Sequence, residues 1–118
     1  MNWYLAKIIF GIKVGDVELA NQFEEHIRVV SARNENEAFL KARMIGVREE
    51  DSFVNANLKN VRWEFIDVSE LRLMDELTDG AEICSHIFEN EDAGNYIRFI
   101  QQKAFSIEER TQQNLVSR

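Results

Sequence analysis

A chain of 118 residues, 45% hydrophobic and 30% charged, has the size and make-up of one folded domain and excludes a disordered or fibrous segment. The single cysteine, Cys84, excludes an internal disulfide, and the absence of proline excludes a Pro-rich linker. The net charge of −7 is uneven, with +1 in residues 1–48, −10 in 49–92 and +2 in 93–118, so the middle of the chain lacks the clustered Lys and Arg that phosphate-backbone binding requires.

Residues 3–14 predict a strand. Tyr4, Ala6, Ile8, Phe10, Ile12 and Val14 are all apolar and alternate with a mixed set, the period of a face turned to a core. Lys7 splits the apolar run, no basic region precedes it and no small-residue cleavage pattern follows, so a secretory leader is not expected. No run reaches the ~20 apolar residues that would span a bilayer. The expectation is a cytoplasmic protein with no membrane contact.

Gly15 and Asp16 open a turn, and residues 22–32 predict a second strand that pairs antiparallel with the first. Phe23, Ile27 and Val29 share one face of it; Glu24, His26 and Arg28 share the other. The period then changes to 3.6. Asn34 followed by Glu37 is a capping-box variant, and Ala38, Phe39, Ala42 and Ile45 form an apolar stripe. Gly46 is the expected C-terminal stop of this helix.

Residues 49–60 read as a loop and 61–68 as a strand, with Val61, Trp63 and Phe65 facing the core. Residues 69–80 fit either a kinked extension of that strand or a helical turn, and Asp79-Gly80 marks a turn. Residues 81–88 predict the fourth strand. A second helix is expected to start at Asn90 or Glu91, with Ala93, Tyr96, Ile97, Ile100 and Ala104 as its stripe. The order β-β-α-β-β-α gives an α+β domain with a mostly antiparallel four-stranded sheet and one helix packed on one face. The expected organisation is a single domain over residues 1–107 and a polar, fraying tail over 108–118. The second sheet face, with Trp3, Leu5, Ile9, Ile66 and Val68, is apolar enough to call for a cover, either the second helix or a second copy in a homodimer.

The pieces WYLAKIIF, SARNENEAFLKA, EEDSFVNANLKNVRWEFIDV and DELTDGAEICSHI occur in that order. Together they resemble a family of small bacterial proteins known as domain of unknown function 4288, over about residues 2–88. The resemblance implies one domain, a bacterial source and a cytoplasmic location. It brings no activity, cofactor or catalytic residue.

The chain has no Gly-rich phosphate loop, no paired-cysteine motif and no nucleophile elbow. His26 and His86 could hold a metal only if neighbouring strands brought them to one face, and Cys84 and His86 are too far apart on a straight strand for a direct hydrogen bond. Neither pair is read as a site, and no metal, cofactor or catalytic residue is expected. The acidic run Glu49, Glu50 and Asp51 follows a helix C-terminus, where the dipole disfavours anions. Ser52, Asn55 and Asn57 add hydrogen-bonding groups on the loop, and Arg62 and His86 complete the candidate partner- or ligand-binding set. Arg62 and Glu64 are expected to form a cross-strand ionic ladder.

Two functions follow as expectations. One is a non-catalytic protein-interaction or regulatory module that uses the acidic middle against a basic protein, for example in an immunity- or antitoxin-like role, without nucleic acid. The alternative is a small ligand- or metal-binding protein or enzyme with its site near residues 51–57.

Overall fold

The structure is a computed structural model and describes residues 1–116. The elements are β1 (Asn2–Val14), β2 (Gln22–Ala32), α1 (Glu35–Arg48), β3 (Asp51–Val54), β4 (Asn60–Leu73) and α2 (Ala93–Val116). The β-β-α-β-β-α order and the antiparallel four-stranded sheet agree with the sequence, and the sheet order is β2-β1-β4-β3. Two of the strands differ from expectation. Residues 51–54 form β3, not loop, and residues 81–88 form no strand.

Tyr4, Ala6, Ile8 and Phe10, alternate residues of β1, make the core under the helix, and Leu5 is fully buried on the opposite face. Ala6, Ile8 and Phe10 are fully buried and pack with Ala42 of α1, while Tyr4 packs with Val30, Ala32 and Ala38. Trp63 and Phe65 join this face from β4, as their parity predicts. Val68 joins it too, although sequence parity placed it on the opposite side with Ile66. The reason is a pair of irregularities in the β1–β4 register: Phe10 pairs with Phe65 and Ile9 with Asp67, then Lys7 with Glu70 and Ile8 with Val68. Ile66 and Ser69 are therefore extra residues. The first reverses the parity of β4 and the second restores it. β4 is thus the bulged extension of the expected strand, running to Leu73.

Helix α1 starts as predicted. Asn34 is extended, and its side-chain oxygen accepts the Glu37 N–H at 2.8 Å. Gly46 does not end it. The helix runs to Arg48, and the N–H of Glu49 bonds back to the carbonyls of Ile45 and Gly46. Gly46 is needed for a different reason, since a Cβ there would overlap the ring of Phe65.

The chain divides into two compact units, Met1–Ser85 and His86–Arg118. In the second unit, α2 starts at Ala93, two or three residues later than expected, and Asp92 caps it by accepting the Asn95 N–H at 3.2 Å. The polar stretch 108–116, expected to fray, is helical. Its Glu, Arg and Gln residues are good helix formers, with no Gly or Pro after Gly94. Ser117 and Arg118, the end of the expected tail, lie outside the described residues.

Gly46→Ala gives a test of sign. Helix propensity alone would stabilise the variant by ~1 kcal/mol. The overlap with Phe65 is expected to destabilise it by about 1–3 kcal/mol instead. A fall in the urea midpoint at unchanged slope reads the difference.

Candidate functional site

Within the first unit, the acids that follow α1 separate into two populations, apart from Asp51. The first lies on the sheet and is engaged. Glu49, the C-cap of α1, meets Arg28 at 3.1 Å. Glu50 accepts the main-chain N–H of Phe65 at 3.0 Å, on the stretch of the outer β4 edge beyond the end of β3. Glu64 meets Arg62 at 3.4 Å, but along β4 rather than across strands; the cross-strand partner of Glu64 is Lys13 of β1, at 2.9 Å. Asp67 takes two hydrogen bonds from Arg43 at 3.0 Å, and Glu70 lies 3.6 Å from Lys7.

The second population is Asp75, Glu76, Asp79 and Glu82. All four are exposed, on a segment without regular structure that follows β4. Main-chain bonds fix parts of this segment: the Met74 N–H donates to the Trp3 carbonyl at 2.9 Å, Met74 is buried, and Ala81 closes a turn onto Thr78. Gly80 at φ +81° supplies the left-handed residue of that turn. Residues 74–85 contain no Lys or Arg, and none of the four acids has an ion pair among the described residues. Exposed Leu77 and Ile83 alternate with them.

The remaining sequence-predicted residues have local duties. Asp51 accepts the Ser52 N–H at 2.8 Å at the start of β3. The Asn55 side chain accepts from Asn57 N at 2.9 Å and Lys59 N at 3.0 Å, which builds the β3–β4 turn. Leu58 adopts φ 61° to close it. Glu50, Asp51, Ser52 and Arg62 line one shallow depression with Trp63 and Glu64. Asn55 and Asn57 do not join them, and His86 belongs to the second unit, where its ring lies against Phe88. Cys84 is exposed and unpaired with any other cysteine.

Sequence reading placed His26 on a solvent face. The β1–β2 register pairs it with Ile8, so it lies on the helix side, its ring 4.8 Å from that of Phe10. Arg28 donates to Nδ1 at 3.3 Å. Arginine can only donate, so the ring proton sits on Nε2 and is given to Glu24, whose Oε1 also accepts from Trp63 Nε1 at 3.3 Å. Both ring nitrogens are therefore occupied within the cluster. No group of three or more His, Cys, Asp and Glu among the described residues is arranged to hold a metal ion. No helix among them is long and apolar enough to cross a membrane.

Two surface features escaped the sequence reading. Leu40, Met44 and Val47 form an exposed apolar stripe on the outer side of α1, between Arg43 and Arg48. Their i, i+4, i+7 spacing was the signal, hidden because the core stripe already accounted for an amphipathic helix. The unengaged acids were visible as charge, but only the fold separates them from the engaged ones.

These features define a small α+β domain with one helix laid on a four-stranded antiparallel sheet and an acidic, irregular segment after its last strand. The chain belongs to the family described as domain of unknown function 4288, whose model matches residues 3–85. That match and the first compact unit share their C-terminal limit, at Ser85. No curated protein and no solved structure matches the chain.

The ionic contacts predict an acid limb of stability. Hydrogen bonds from Arg43, then from the Val68 N–H, hold the Asp67 carboxyl below its ordinary value of 3.8. The hydrogen bond from Lys13 does most to hold Glu64 below 4.5. A carboxyl lowered by folding stabilises fully above its unfolded value and loses that contribution as pH falls through the folded one. The double variant Asp67→Asn, Glu64→Gln is expected to melt below wild type at neutral pH, with the gap closing below about pH 4. Melting temperatures across a pH series measure it; a gap independent of pH would contradict the assignment.

Proposed function

We propose that this protein is a non-catalytic interaction module that presents residues 75–83 to a basic protein partner in the cytoplasm. The observation that carries the reading is the absence of Lys and Arg from 74–85, together with four exposed, unpaired acids interleaved with exposed Leu77 and Ile83. Exposed like charges steer a complementary partner, and the apolar side chains between them provide area that can be buried on contact. Glu49 and Glu50 are weaker candidates than their charge suggests, because Arg28 and the Phe65 N–H already use them. The ligand-site alternative near residues 51–57 draws no support from Asn55, whose acceptor is spent inside the turn.

Capture from native lysate, followed by purification of the captured protein, supplies the partner for the test. Lysine substitution at Asp75, Glu76, Asp79 and Glu82 together is expected to weaken its binding at least about tenfold and to flatten the salt dependence. Substitution at Glu49, Glu50 and Asp51 is expected to lower the melting temperature first. An affinity unchanged by the first set would overturn the reading.

A further inference from the structure

We propose that the outer edge of β2 pairs antiparallel with β2 of a second copy of this chain, about a two-fold axis through His26, joining two four-stranded sheets into one of eight strands. This inference is independent of the acidic segment.

The direction of the edge groups follows from Trp3. Its carbonyl accepts the Met74 N–H at 2.9 Å, on the β4 side. In an antiparallel ladder the N–H and C=O of one residue point the same way. Trp3 is thus turned away from β2, and Ser31, its register partner, is turned away from β1. Lys41 agrees, because its Nζ donates to the outward Ser31 carbonyl at 2.9 Å. The β1–β2 register is unbroken from Ala32 to Gln22, so Phe23, Glu25, Ile27 and Val29 also present their main-chain groups outward.

The two sides of the sheet are protected very differently. On the far side, β3 is four residues long, and beyond it β4 is bulged, with the Phe65 N–H taken by Glu50 and the Val68 N–H by Asp67. Such devices prevent strand addition. On β2, an eleven-residue strand, only the Ser31 end is closed, by Lys41. The open stretch from Phe23 to Val29 carries three exposed apolar side chains, Phe23, Ile27 and Val29.

Self-pairing fixes the register. Facing residues must both point outward or both inward, so in two identical strands their numbers sum to an even value and the axis passes through a residue. An axis at Glu24, Glu25 or Arg28 would set a charge against itself. An axis at Ile27 would require Ser31 to face Phe23, but the Ser31 carbonyl is used by Lys41. An axis at His26 is the midpoint of the open stretch. It sets Glu24 against Arg28 of the copy and Phe23 against Val29, each twice. The atoms for that ionic contact are unspent: Glu24 uses Oε1 on His26 and Trp63 and keeps Oε2, while Arg28 uses Nη2 on Glu49 and His26 and keeps Nη1.

The full chain should scatter light as a dimer, at twice 13.8 kDa. Ile27→Pro removes one outward N–H, a change an edge strand tolerates, and is expected to raise the dimer dissociation constant at least tenfold with circular dichroism unchanged. Register is read by cross-linking in a Cys84→Ser background. In the proposed register position 26 faces itself as a non-hydrogen-bonded pair, with Cα atoms about 4.5 Å apart, within disulfide reach. His26→Cys should therefore oxidise to a covalent dimer. Glu24→Cys and Arg28→Cys should each fail alone and succeed when mixed. A wild-type chain still monomeric at roughly millimolar concentration, or Glu24→Cys linking to itself as fast as His26→Cys, would overturn the proposal. If Ile27→Pro does not fold, the cross-linking series decides alone.

Discussion

Helix α1 meets the sheet through three residues with almost no side chain. Ala38, Ala42 and Gly46 are all buried, one turn apart, and the space they leave is filled by Tyr4, Ile8, Phe10 and Phe65. Large side chains on the sheet and small ones on the helix bring the two backbones close, and interiors tolerate no void at such a seam. The rest of the unit follows from that approach. It carries the C-terminal end of α1 to where Glu49 reaches Arg28 of β2 and Glu50 reaches the Phe65 N–H of β4. It also sets Lys41 over Ser31 and Arg43 beside Asp67. One helix thereby ties down both sides of the sheet.

The same contacts explain why net charge is a poor guide to the surface of this protein. Acids on and beside the sheet serve as partners for Lys7, Lys13, Arg28, Arg43 and Arg62, and as acceptors for main-chain N–H groups. Individually, exposed pairs of this kind stabilise little. Their larger effect is to occupy hydrogen-bonding groups that would otherwise be open to another strand, which is why the β3–β4 side is closed. Charge left without an ion pair among the described residues gathers after β4, in residues 74–85, which contain no Lys or Arg.

Much of the fold was legible because it rests on local rules. The alternation of β1, the Asn34 cap and the parity of Val61, Trp63 and Phe65 all hold. Gly46 was recognised as special for the wrong reason: close approach to Phe65, not helix termination, demands it. The hairpin of β3 was hidden by its brevity, and Asn55, read as a hydrogen-bonding group open to a partner, builds its turn instead. His26 was misplaced because the polar residues of β2 share the helix side with Val30 and Ala32, while Phe23, Ile27 and Val29 are left exposed. Polarity alone assigns such a strand to the opposite face.

By itself, then, the sequence determined the class of fold, the central strand, the start of α1 and the order of elements. Each of these depends on the identity of residues one to four positions apart, and on steric rules that act at that range. Only the tertiary structure decided which face of β2 is covered, where β4 shifts register, which acids are engaged and which strand edge remains open. Those outcomes depend on pairing between residues far apart in the chain, and a shift of one residue in register moves every side chain beyond it to the other face.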